Sequence, residues 1–148
     1  MRILIDTNVL TRSAQPGHPQ HDTALQALKV IRNQGHEHCI VPQVIYEYWA
    51  VCTRPVEANG LGMTPIAVVQ KIAEIKRLFL LLRDERAIFP EWERLMAEYQ
   101  VRGKASHDAR LVAAMIRHGL HNILTFNAPD FGRYAGIVVM TPDQFLQP

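Results

Sequence analysis

The sequence predicts an α/β domain built on a mainly parallel sheet of about four to five strands, with helices on both faces. Three observations carry that expectation. Apolar runs such as Ile3-Leu4-Ile5 are short and continuous rather than alternating, as in strands buried on both faces. Between such runs, apolar residues recur at helical spacing, as at Ala24, Leu25, Leu28 and Ile31. Stop and start signals fall at the joints, among them Gly35, Pro42, Thr64-Pro65, Gly103 and Gly119.

Taken in order, Ile3–Ile5 forms the first strand and ends at the polar group Asp6-Thr7-Asn8. A helix runs from His21 to Arg32 and stops at Gly35. His38–Val41 is the second strand. Pro42 suits a first helical turn and opens a helix through Val44, Ile45, Tyr48 and Val51. Thr53 to Gly62, with Pro55, Asn59, Gly60 and Gly62, reads as an exposed loop. Thr64 caps a helix with Pro65 in its first turn, and Val68, Val69, Ile72, Ile75 and Leu78 or Phe79 point inward. Phe79–Leu82 gives a third strand. Pro90 opens another helix, with Glu91 and Glu93 suited to its positive end. Ser106 caps the next, which continues through Ala109, Leu111, Val112, Ala113, Met115 and Ile116. Asn122–Thr125 and Gly136–Met140 are the last strands. No repeat or linker interrupts this order, so residues 1–148 read as one domain.

Composition narrows the function. A chain of 148 residues, 48% hydrophobic, is long enough for a substantial core. Its net charge of +2 permits nucleic-acid binding without the excess of a histone-like protein. Two cysteines, Cys39 and Cys52, match neither a zinc pattern nor a disulfide framework, which suits a reducing cytoplasm. Asp6 interrupts any signal-peptide core, and no apolar run approaches a membrane span.

Four acids stand out by position. Asp6 closes the first strand, and its carboxylate projects from the C-terminal edge, where open α/β sheets bind ligands. Asp130 follows the strand Asn122–Thr125 and shares that edge if the strands are parallel. Asp108 lies in the first turn of the helix placed after Ser106. Glu47 stands three and four residues from Val44 and Val51, on the border of the buried stripe. Each alone has an ordinary reading: helix cap or turn for Asp6, helix-dipole partner for Asp108, solvated edge for Glu47, turn residue for Asp130. Together, if they converge, their repulsion needs a cation or raised pKa values. Carboxylate oxygens without thiolates select Mg²⁺, with Mn²⁺ as substitute, and such ions serve phosphodiester chemistry.

At these residues the chain resembles the PIN-domain family, in particular the VapC-type ribonuclease toxins of toxin–antitoxin pairs. The matching stretches are Ile3–Leu10, the helix carrying Glu47, Lys104–Gly119, and Leu124–Phe131; they follow the family's order and span almost the whole chain. The resemblance implies an α/β/α sandwich and an Mg²⁺-dependent endoribonuclease. Asp6, Asp108, Asp130 and Glu47 would be catalytic and hold the metal. Thr7, Asn8 and Thr125 would orient carboxylates and water, and Asn127 takes a place where members carry aspartate or asparagine. The resemblance further implies an RNA substrate, a cognate antitoxin and a homodimer.

Other residues admit weaker readings. Arg102, Lys104 and Arg110 flank Asp108 and could contact RNA phosphates, or be ordinary solvated charges. His107 neighbours Asp108 but points about 100° away along the helix. His36, His38 and Cys39 lack a fourth zinc ligand. Tyr46, Tyr48 and Trp49 could stack bases, yet such residues more often belong to a core or a dimer interface. Two alternatives compete with the nuclease. A haloacid-dehalogenase-like phosphatase would want an acid two residues after Asp6, where Asn8 stands. A binding module that grips RNA or protein without cutting has no need for four acids facing phosphate.

Overall fold

Five strands, all parallel, form one sheet in the order β3-β2-β1-β4-β5 in the computed structural model, which describes residues 1–146. They are β1 (Arg2–Ile5), β2 (Glu37–Ile40), β3 (Leu80–Leu81), β4 (Asn122–Leu124) and β5 (Val138–Met140). Six helices connect them: α1 (Thr7–Ser13), α2 (His21–Asn33), α3 (Pro42–Thr53), α4 (Pro65–Leu78), α5 (Ile88–Tyr99) and α6 (Ala105–His118). Right-handed crossovers put α1–α4 on one face and α5–α6 on the other. The helix contacts divide the same way: α1 meets α2 and α3, α3 meets α4, and α5 meets α6. The expected α/β sandwich with a parallel sheet is the observed one.

The central strand explains the continuous apolar run. Ile3, Leu4 and Ile5 are fully buried between the two helical layers, as are Ile123 and Leu124 of β4 beside them. The α6 residues Leu111 to Met115 and Phe131 complete the core on one side, with Val9, Ala24, Ala27, Ile31 and Val44 on the other. After β1 the chain winds outward to β2 and β3, then returns across the sheet to β4. The order therefore reverses between β1 and β4, and their C-terminal ends form the crevice where open sheets bind ligands.

Several expectations need correction. A helix begins immediately after β1, absent from the expected element order, and Asp6 has its ordinary role as the N-cap, its side chain accepting from the Thr7 amide. The fifth helix starts at Ile88, two residues before Pro90, so the proline occupies the first turn rather than opening it. Ser106 does not cap α6. Lys104 is the N-cap residue, and Ser106 lies in the first turn, its carbonyl accepting a 2.8 Å hydrogen bond from the Trp92 indole. Val69 was expected inside and is exposed, as is Leu25 of the α2 stripe, while of the pair Leu78 or Phe79 it is Phe79 that is buried. On α2 the small Ala24 and Ala27 fit closest to the sheet instead; on α4 only Val68 is buried. An exposed groove of about 710 Å³ runs between α2 and α4, with Leu25, Leu28, Ile75, Leu78 and Phe79 on its walls.

Candidate active site

Asp6 is held by three neighbours. One carboxylate oxygen accepts from the Thr7 amide at 2.7 Å; the other accepts from Asn8 Nδ2 at 3.1 Å and Thr125 Oγ1 at 2.8 Å. The Asp6 amide donates to the Leu124 carbonyl at 3.0 Å, which locks the ends of β1 and β4 together. Thr125 is wholly buried and accepts in turn from Asn8 Nδ2 and the Asn127 amide, each at 3.0 Å. Asn8 Oδ1 accepts from the Phe126 amide at 3.0 Å. These contacts join residues nearly 120 positions apart in sequence.

With only 7% of its surface exposed, Asp6 loses hydration, and burial pushes its carboxyl up to about 6. Glu47 and Asp130 raise it further, against the lowering effect of its bonds to Thr125 and Thr7. Asp108, half-buried in the first turn of α6, is pushed up to about 7. Burial is the main cause, followed by repulsion from Asp6, Asp130 and Glu47, while Arg133 opposes them. Among the described residues the Asp108 carboxylate accepts no hydrogen bond.

Glu47 enters from α3 and is gripped from two sides. Thr7 Oγ1 donates to one oxygen and Gln43 Nε2 to the other, both at 2.9 Å. Gln43 is buried and also donates to the His107 carbonyl at 2.8 Å, while its own oxygen accepts from Arg110 at 3.1 Å. One amide thereby ties α3 to the start of α6, fixing Glu47 relative to Asp108. Asp130 lies in a 3-10 turn, Ala128–Asp130, which is exposed and anchored by its amide to the Asn127 carbonyl at 3.0 Å.

Asp6, Glu47, Asp108 and Asp130 thus lie near enough at the β1–β4 crevice to act on one another's charge, and Thr7, Asn8 and Thr125 bond to Asp6 and Glu47. Asn127 is exposed and contributes its backbone only. Arg102 and Lys104 are exposed, with no carboxylate at ion-pair distance among the described residues; Arg110 is engaged by Gln43 and, at 3.3 Å, by Asp84. Tyr48 is core, Trp49 half-buried and Tyr46 exposed. His38 and Cys39 are consecutive in β2 and point to opposite faces of the sheet, and both are buried.

The donor set is all oxygen, and a neighbouring cation would relieve the raised Asp6 and Asp108 carboxyls, which fits Mg²⁺ chemically. As the side chains stand, no three His, Cys, Asp or Glu residues among the described residues are grouped so that they could hold a metal ion. Two contributors were missed in the sequence. Gln43, one helical turn before Glu47, could have been found from its spacing. Arg133 carries no local signal; only the fold brings it near Asp108.

A family model for the PIN domain matches residues 3–137. The chain belongs to the PIN-domain family. Solved structures share this PIN fold over nearly their full lengths. VapBC2 from Rickettsia felis, bound to a DNA fragment from its promoter, has a TM-score of 0.73 at 12% identity, covering 95% of this chain and 98% of that one. VapC20 of Mycobacterium tuberculosis, described as a toxin cleaving the sarcin–ricin loop, gives 0.68 at 19% identity, with 92% and 96% covered. A toxin–antitoxin complex from Klebsiella pneumoniae gives 0.64 at 23% identity, with 95% and 97% covered. No curated protein sequence matches the chain. Membership in this family overturns the phosphatase alternative. Asn8 agrees, because its side chain braces Asp6 and no acid takes its place. No helix among the described residues is long and apolar enough to cross a membrane.

Proposed function

We propose that this PIN domain, a single unit over residues 1–148, is an Mg²⁺-dependent endoribonuclease acting in the cytoplasm as the toxin of a toxin–antitoxin pair. The observation that carries the reading is the acid cluster itself: Asp6, braced by Thr125 and Asn8, and Glu47, gripped by Thr7 and Gln43, stand with Asp108 and Asp130 at the sheet's topological switch point. Concentrated negative charge facing a polyanionic substrate makes sense only with a cation between them.

Asp6, Asp108, Asp130 and Glu47 would hold the ion. When bound, Mg²⁺ (or Mn²⁺) supplies charge neutralisation for the scissile phosphate and lowers the pKa of an attacking water. The chain's residues then have separate tasks. Thr7 and Gln43 fix both oxygens of Glu47, and Thr125 and Asn8 aim one oxygen of Asp6 while the Thr7 amide holds the other. Pre-orientation of this kind removes reorganisation from the reaction step. Arg102 and Lys104, without acidic partners, offer charge to the RNA backbone. Hydrolysis would leave a 5′-phosphate and a 3′-hydroxyl. Strand scission of total RNA in Mg²⁺, abolished by EDTA and by Asp6→Asn, with circular dichroism unchanged, is the test. A protein that binds RNA but cuts none with Mg²⁺ or Mn²⁺ would instead be a binding module.

Partners are part of the same reading. The relatives above are solved as toxin–antitoxin complexes or as a toxin. The groove between α2 and α4 exposes Leu25 and Leu78 and would seat an apolar segment of the antitoxin; Leu78→Glu should weaken that complex in a pull-down while leaving cleavage intact. A homodimer would be seen by sedimentation.

A further inference from the structure

The start of α5 carries a second cavity, of about 660 Å³, walled by Ile88, Phe89, Pro90, Trp92, Arg86 and Arg110 together with Glu85. Phe89 is 62% exposed, an unusual position for so large an apolar ring. It stacks on Trp92 at a centroid distance of 6.0 Å and an angle of 27°, and because Trp92 is half-buried the solvent-open part of this aromatic shelf is Phe89. We infer that Phe89 and Trp92 are a stacking platform for one unpaired nucleobase of an RNA strand, with the Arg86 guanidinium on the same cavity wall for a flanking phosphate. The inference rests on the ribonuclease reading and adds where the strand runs beside the acids.

Three observations support a nucleotide as the occupant. The first is charge. Arg86 has no carboxylate at ion-pair distance among the described residues, whereas Glu85 is paired with Arg117 and Asp84 with Arg110. The net offer of the rim is therefore cationic, next to an aromatic surface, which matches the alternation of phosphate and base. The second is continuity with the acid cluster. Trp92 donates its indole N–H to the carbonyl of Ser106, two residues before Asp108; Arg110, two residues after Asp108, donates to Gln43, which holds Glu47. Shelf and acids thus share the first turn of α6 as a common wall. The third is access. Stacking needs a free base face, which a single strand or a loop offers and a duplex interior does not.

Binding of a fluorescein-labelled oligouridine, which has no stable secondary structure, is measured in EDTA so that nothing is cut. A blunt RNA duplex of equal length serves as the control. Phe89→Ala should weaken oligouridine binding about 5- to 100-fold and leave the duplex unaffected, and Phe89→Tyr should restore it. Arg86→Gln should lower the salt slope of binding by about one. Phe89 is exposed, so its loss leaves the thermal transition within a few degrees of wild type.

Equal oligouridine affinities for wild type and Phe89→Ala would overturn the platform, and wild-type cleavage of RNA would show that the nuclease reading survives. A wild type that neither binds oligouridine nor cuts RNA would sink both. If sedimentation without RNA shows a dimer that Phe89→Ala splits, the shelf is a contact between two copies and the inference is wrong.

Discussion

Asp108→Asn should make this protein more stable while destroying its activity. The Asp108 carboxyl is raised from 3.8 to about 7, so in the folded state it holds its proton over a range where the unfolded chain has released it. Stability from such a group is complete below about pH 4 and is lost as pH rises through about 7. At about 1.4 kcal/mol for each pH unit, the full shift would correspond to about 4 kcal/mol. Asp108 is half-buried, so solvent screening reduces this, and loss of a favourable charge in the first turn of α6 takes back about 0.5 kcal/mol. A net gain of about 1–2 kcal/mol at pH 8 remains, or roughly 2–6 °C in Tm for a chain of this size. Thermal and urea denaturation in EDTA from pH 4 to pH 8 measure it. The two proteins should coincide near pH 4 and diverge as pH rises, with the variant above. Added Mg²⁺ should then stabilise wild type and leave the variant nearly unmoved. Parallel pH profiles, or a variant that is less stable at pH 8, would refute the claim that burial and the neighbouring acids hold the Asp108 carboxyl up.

Thr125→Val removes the hydroxyl that donates to Asp6 and accepts from Asn8 and the Asn127 amide; buried groups left unpaired cost about 1–3 kcal/mol in urea denaturation. Gln43→Leu frees Glu47 from the His107 carbonyl, and the Mg²⁺ concentration giving half-maximal cleavage should rise about 10- to 100-fold, with circular dichroism unchanged. His38 is held down to about 4 by burial, with Arg32 adding to it, so its folded value lies below the unfolded one. Stability is therefore lost as pH falls from about 6.5 to about 4, a trend opposite in sign to that of Asp108. His38→Leu should remove about 2–3 kcal/mol of that acid-side loss in denaturation curves taken at pH 4 and pH 7.

Much of the sheet could be read from the sequence because its strands are buried on both faces. Ile3–Ile5 and Asn122–Leu124 show as uninterrupted apolar runs, and parallel pairing follows from the helices between them. Helix starts were harder where the chain uses no side-chain cap. Lys104 opens α6 without one, and the nearby Ser106 was a misleading signal because its carbonyl, rather than its hydroxyl, does the bonding. The placement of Asp6, Asp108 and Asp130 followed from strand ends and a helix start, which are local properties. Gln43 could be found from its spacing to Glu47, but its contact with His107, the approach of Arg133 to Asp108 and the exposure of Phe89 depend on which segments meet in space. Nothing local in the sequence encodes that meeting, and Phe89 in particular looks like one more core residue until its surroundings are known.

The central strand β1 has neighbours from distant parts of the chain, β2 at Glu37–Ile40 and β4 at Asn122–Leu124. It is synthesised well before β4 and before Thr125, which braces Asp6 from 119 positions further on. A nascent or truncated chain lacking everything from Asn122 onward has Asp6 and Glu47 but no wall to set them against. Loss of the segment from Asn122 onward would therefore undo the crevice as surely as losing an acid.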